Sequence, residues 1–153
     1  MKNKEVKEIE RILEIARRCE VCNVAMSEPG GQPYVIPMNF GVSGGNIYLH
    51  SAPAGKKIDL LKQNPKVCIS FSTDHVLRWQ SEEMACSYGM KYRSALAYGI
   101  VEFISDYDRK IDALNVIMNQ YVKREFSYSK PSVENVCIMK VVVEMWEGRE
   151  YGY

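Results

Sequence analysis

No stretch of this 153-residue chain stays apolar for the roughly 18 residues that a membrane-spanning helix needs. Its first eighteen residues, "MKNKEVKEIERILEIARR", are charged throughout and lack the apolar segment of a signal peptide, so a cytoplasmic location is expected. An excess of charge is also missing. The net charge is +1 with no long block of one sign, which disfavours a nucleic-acid partner or a disordered tail. Neither G-x-x-x-x-G-K-[ST] nor G-x-G-x-x-G occurs, so a nucleoside triphosphate or dinucleotide has no motif to bind. Histidine is scarce, with only His50 and His75. The five cysteines, odd in number and without paired spacing, give no disulfide framework and predict free thiols.

Cys19 and Cys22 in "CEVC" have the C-x-x-C spacing of a redox dithiol or of half a zinc site. A redox pair opens a helix after a strand, whereas this pair closes a helix and starts a strand. A zinc site needs a second ligand pair, and the remaining Cys and His residues are scattered. Structural packing is the preferred reading, and no metal is expected.

What is present is periodic. Residues 4–18 carry Val6, Ile9, Leu13 and Ala16 at spacings of three and four, with Glu14 four residues before Arg18, and read as an amphipathic helix. "CNVAM" and "YVIPMNF" read as a hairpin around the turn "SEPGGQP", with Tyr34, Ile36, Met38 and Phe40 on one face. "GVSGG" is a turn, "NIYLH" a strand, "KKIDLLKQN" a short helix stopped by Pro65, and "KVCISFS" a buried strand. Thr73–Tyr88 has no clear period and reads as loop with one poorly defined strand. "YRSALAYGIVEFIS" is a long strand. Asp106 caps a helix reaching about Lys123 on an apolar stripe of Ile111, Leu114, Ile117, Met118 and Tyr121, and "VCIMKVVVEMWEG" is the last strand. One domain, 1–153, follows: mainly β with helices, a six-stranded antiparallel barrel rather than a doubly wound sheet.

The corner "YLHSAPAGKKIDLLKQNP" concentrates the chemistry. Lys56 and Lys57 open a helix whose dipole disfavours cations at that end unless an anion lies near, and Ser51 offers a hydroxyl donor. A phosphate answers this pattern; a solvated pair of surface lysines is the plain alternative. Pro37 interrupts a good strand, either because Met38 and Asn39 turn their backbone toward a planar ligand or because the strand lies at an edge.

Taken together in order, "PYVIPMNFG", "IYLHSAPAGKKIDLLKQNPKVCISF" and "YRSALAYGIVEFI" resemble the pyridoxamine 5'-phosphate oxidase-like flavoproteins, and most closely their nitroimidazole-resistance (Nim-type) branch. The resemblance runs from about Glu8 to Trp146. It implies a split β-barrel homodimer with FMN in the subunit interface. Lys56 and Lys57 would hold the phosphate, Ser51 would add a contact, and the backbone of Pro37, Met38 and Asn39 would follow the isoalloxazine. Arg93 and Ser94 would reach the cofactor, some such contacts coming from the second subunit, and His50 would lie near the flavin. The end of the chain, "VVVEMWEGREYGY", offers Arg149 alone, a weak substitute for the arginine and histidine groups with which true pyridoxamine phosphate oxidases hold their substrate phosphate, so vitamin B6 oxidation is not expected.

The resemblance thus points to an FMN-dependent oxidoreductase that reduces nitroaromatic compounds, 5-nitroimidazoles among them, with a reduced nicotinamide or another donor. Arg93 would stabilise the anionic reduced flavin, and His50 would either donate a proton or hold its loop by hydrogen bonding. Tyr34, Phe40, Trp79, Tyr92 and Trp146 are available to line a cleft, most of them being expected in the core. Two other functions fit the same residues: flavin or haem carried for storage or sensing, the haem through His50, and a flavin-free dimeric interaction module.

Overall fold

Ala95, Ala97, Gly99 and Val101 are buried while their neighbours stay half exposed, the period of two that a strand with one covered face requires. The computed structural model describes residues 1–153. Its elements are β1 (Asn3–Val6), α1 (Ile9–Arg17), β2 (Cys22–Ser27), β3 (Pro33–Met38), β4 (Gly41–Ser43), β5 (Asn46–Ser51), α2 (Lys56–Gln63), β6 (Lys66–Arg78), β7 (Gly89–Ile104), α3 (Tyr107–Tyr121), α4 (Lys130–Asn135) and β8 (Cys137–Tyr151), with a single 3-10 turn at Ala85–Ser87.

Every ladder is antiparallel. The strands run in the order β3-β2-β6-β7-β8-β5-β4, and β1 adds to β8. β3 and β4, at the two ends of this path, do not pair, so the barrel is split rather than closed. β8 is divided along one edge: its first half pairs with β5 and its last residues with β1, while β7 takes the other edge.

Eight strands form where six were expected, and both additions have a physical cause. Asn3–Val6 overlaps the start of the predicted helix of residues 4–18, yet the end of β8 leaves a free edge, and pairing with Gly148–Tyr151 outweighs the helical spacing. The helix therefore begins at Ile9. It buries Ile12, Leu13, Ile15 and Ala16, whereas Ile9 faces solvent. Gly41–Ser43, read as turn, pairs with Asn46–Tyr48 across the two glycines 44 and 45.

The segment after Thr73 lost its period for a related reason. The register against β7 shifts between Thr73 and Val76, and Asp74 adopts a φ of 57°. A bulge of this kind breaks the alternation that sequence reading depends on, and β6 continues beyond it to Arg78. The helix at Asp106 forms as expected: the Asp106 carboxylate accepts the Arg109 N–H at 3.0 Å. It ends at Tyr121, two residues short of the expected limit.

The core fills the curl of the sheet. Phe40 and Phe71 meet edge to face at 5.0 Å, and Trp146 lies 5.8 Å from Phe71 while its indole N–H donates to the Gly45 carbonyl at 2.9 Å. α3 crosses β4 so closely that a methyl on Gly41 would sit 2.5 Å from the Val116 carbonyl oxygen. Gly41→Ala must push α3 off the sheet, and urea denaturation should show a loss of about 1–3 kcal/mol, the usual cost of overpacking.

Candidate functional site

Three segments converge on a cleft of about 590 Å³: the end of β3 with Pro37, Met38 and Asn39, the end of β5 with His50, Ser51 and Ala52, and Lys57 at the start of α2. α4 and the residue after it complete the wall with Ser132, Asn135 and Val136. β3 is an edge strand, which is why Pro37 is tolerated in it. Met38 also serves the core and is 8% exposed.

α2 borders this space at its first turn, through Lys57. Gly55 precedes it with a φ of 133°, a conformation that side chains disfavour, and no side chain caps the helix. The two lysines behave differently there. Lys56 pairs with Glu28 of the β2–β3 turn and stands 4.4 Å over the Tyr34 ring, so its ammonium is turned to a carboxylate of its own chain. The hydrogen bond to Glu28 raises its pKa. Lys57 makes no ion pair, hydrogen bond or aromatic contact within the chain, and it lines the cleft. Half of the lysine argument is thus answered by Glu28; Lys57 is left to an anion or to solvent.

Ser51 donates to the Ala52 carbonyl at 2.8 Å, which leaves its oxygen as acceptor. His50 is exposed at the cleft, yet desolvation by its surroundings lowers its pKa, so the neutral imidazole is favoured at pH 7. It can exchange hydrogen bonds with a ligand without holding a permanent charge.

Arg93 and Ser94 are not brought into this cleft. Arg93 donates to Asp74 at 2.8 Å and to Glu150 at 3.0 Å and stacks 3.7 Å over Tyr153. Arg11 reaches the same Glu150 oxygen at 2.6 Å, and Arg18 reaches Asp74 at 2.8 Å. The network joins α1, β6, β7 and β8. Ser94 lies on the outward face of β7, opposite Ser72 and Arg149. His75 pairs with Ser72 at 2.6 Å beside a different depression. None of the five candidate aromatics lines the cleft: Phe40 and Trp146 pack in or against the core, Tyr34 carries Lys56, Tyr92 faces His75 and Trp79 stacks on Tyr88.

Cys19 and Cys22 are both buried, and burial pushes their thiols up to about 11 and about 12, which favours the inert protonated form. Cys22 Sγ lies 3.5 Å from the Met38 carbonyl, packing β2 against the cleft's edge.

Sequence reading missed α4. Ser129 accepts from Ser132 at its start, with Pro131 in the first turn, a signal legible in "SKPS". Its far end is held by Lys110 of α3, whose ammonium donates to the carbonyls of Val133, Glu134 and Val136 at 3.1, 3.2 and 2.8 Å. A cation at a helix C-terminus satisfies carbonyls that have no partner in the helix.

A family model described as pyridoxamine 5'-phosphate oxidase matches residues 7–147. The chain belongs to that family. A candidate 5-nitroimidazole antibiotic resistance protein from Bacteroides thetaiotaomicron VPI-5482 is 43% identical with a TM-score of 0.88, over 97% of this chain and 87% of that one. An FAD and haem binding protein from Mycobacterium smegmatis shares the fold at 18% identity and a TM-score of 0.85, over 98% of this chain and 74% of that one. An uncharacterised protein from Rhizobium meliloti (strain 1021) is 30% identical over 79 residues, 46% of this chain and 52% of that protein. The alignment thus spans about half the length of that curated relative. No helix here is long and apolar enough to cross a membrane.

Two outcomes follow from these contacts. Replacing Lys110 by Met removes the ammonium from the carbonyls of Val133, Glu134 and Val136, and amide exchange over residues 130–136 should accelerate while the sheet stays protected. Burial alone would raise the Glu150 pKa, but hydrogen bonds from Arg11 and Arg93 prevail and lower it. A lowered folded-state pKa adds stability above the unfolded carboxylate value and loses it as pH falls through the folded one. Glu150→Gln should therefore be less stable than wild type at pH 7, the gap closing below about pH 4 in thermal melts.

Proposed function

We propose that the cleft holds FMN and that the protein is an FMN-dependent oxidoreductase acting on nitroaromatic compounds such as 5-nitroimidazoles. Lys57 carries the reading. It is half buried at the uncapped N-terminus of α2, where the helix dipole makes a cation costly, and no carboxylate of the chain answers it. A phosphate resolves that imbalance, accepting from Lys57 and from the first-turn N–H groups. Lys56, held by Glu28, sits beside the phosphate site as support rather than as a direct grip. The likeness to the Bacteroides protein named for nitroimidazole resistance supports the substrate class.

The bound flavin supplies the electron chemistry. The chain's own residues bind and orient. Pro37, Met38 and Asn39 would lie along the ring, Ser51 would offer its oxygen as an acceptor, and His50 would supply a neutral imidazole able to pass a proton through its two nitrogens. Ser132 and Asn135 of α4 face them across the cleft and select what enters beside the ring. A reduced nicotinamide is the proposed electron donor.

A homodimer completes the site in this reading. The outward face of the sheet carries the half-buried Leu96, Tyr98 and Ile100 of β7, with Tyr98 and Ile100 opposite Met145 and Val142 of β8 and Leu96 opposite Glu147, and Met145 stands exposed on it. Ser94 shares that face, and a dimer closed on it carries Ser94 toward the partner. Arg93 reaches the cofactor only by leaving Asp74 or Glu150.

One observation favours a second reading, in which flavin or haem is carried without turnover: the Mycobacterium protein of the same fold is named for binding FAD and haem, and His50 opens on the cleft as a potential axial ligand.

The test loads purified protein with FMN, desalts it, and records its spectrum and its oxidation of reduced nicotinamide with a 5-nitroimidazole, against free FMN. Retained flavin bands and turnover above free FMN are expected. Lys57→Ala should weaken FMN binding about tenfold or more, the range of a charge-assisted contact, and Lys56→Ala by less. Retained flavin without turnover gives the carrier reading, and a colourless protein removes both flavin readings.

A further inference from the structure

Asn39 and Phe40 join β3 to β4 and lie beyond the last rung of the β2–β3 ladder, the Cys22–Met38 pair. Phe40 is fully buried, so its main-chain N–H needs an acceptor that the ladder does not give it. Tyr121, the last residue of α3, provides one. Its phenol oxygen accepts from Phe40 N at 3.0 Å and from Asn39 Nδ2 at 3.2 Å, and its proton goes to the Glu20 carbonyl at 2.8 Å. The ring also packs edge-on against Phe40, with centroids 6.5 Å apart.

The polarity of this junction is decided by its ends. A carbonyl only accepts, so the single hydroxyl proton of Tyr121 is committed to Glu20. An amide N–H only donates, so the phenol oxygen must accept from Phe40. Asn39 can then offer Tyr121 nothing but its NH2 group. The flip of the Asn39 amide is thereby fixed from outside the cleft. Its Oδ1 and its second N–H are left for other partners, and Asn39 lines the cleft.

We propose that Tyr121 is a positioning residue: it locks the Asn39 amide in the orientation that offers Oδ1 as acceptor to an N–H of the ligand in the cleft. This rests on the reading of the cleft as an FMN site only for the identity of that ligand. The lock itself belongs to the chain.

Tyr121→Phe keeps the ring against Phe40 and removes the hydroxyl. In flavin-free protein, the ¹⁵N-resolved side-chain amide signals of Asn39 should move and the Phe40 amide should exchange at least severalfold faster. With FMN, the Kd should rise about fivefold, the scale of one net hydrogen bond. Asn39→Ala should add little to that rise in a double-mutant cycle, since both changes remove the same contact. A tyrosine that merely stabilised the fold would lower the melting temperature and leave the Kd and its coupling to Asn39 untouched, which overturns the proposal. If wild type binds no FMN, the flavin reading fails, and the Asn39 and Phe40 signals still decide the lock. Should the variant not fold, cross-peaks between the Asn39 amide protons and the Tyr121 ring in wild type support it, and their absence sinks it.

Discussion

β7 is bonded to β6 along one edge and to β8 along the other for nearly all of its length, and the cleft depends on that double ladder. β2 and β3 hang from β6, while β5 and β4 hang from β8. The two strand ends that frame the cleft therefore belong to opposite wings of one sheet. What brings them together is curl. The small residues Ala95, Ala97 and Gly99 allow the wings to close, and Gly99 is where the β7–β8 register shifts; a methyl there would meet the Val142 carbonyl oxygen at 2.4 Å. A shift of register bends a strand and increases its twist.

Charge is distributed with the same economy. Arginines 11, 18 and 93 share two carboxylates, Asp74 and Glu150, at the end of the sheet where β6, β7 and β8 meet α1. Glu150 is 7% exposed, and a carboxylate so placed is tolerated because two guanidiniums neutralise it. At the cleft the opposite holds, since Lys57 has no such partner. One end of the molecule is electrostatically finished by its own residues and the other is left for something else to finish.

Much of this was legible in sequence, and the limits are physical. The strands with clean alternation, the Asp106 cap and the lysine-led helix before Pro65 depend on local pattern, and they form within a few residues of where pattern puts them. The cleft gathers Pro37, Met38, Asn39, His50, Ser51 and Lys57 because each ends or begins a regular element. What sequence could not give were pairings between distant segments. β1 needs residues 148–151, Lys56 finds Glu28, and Arg93 is taken by Asp74 across the bulge. The lysine doublet shows the difficulty most clearly, because adjacent residues of one type have different partners. α4 was missed since six residues carry too little periodicity to read.

That short helix has a consequence of its own. Six residues are well below the length at which a helix sustains itself in water, so α4 depends on what holds it from outside: Lys110 at one end, Ser129 at the other and the fully buried Val133 between them. Its opening free energy is set by these few contacts, whereas that of the opposite wall is set by the sheet. The two sides of the cleft therefore fluctuate on different scales. In the proposed FMN reading, a ligand held from β3, β5 and α2 would stay anchored while the α4 side opens, and its entry and exit would not require loosening the barrel.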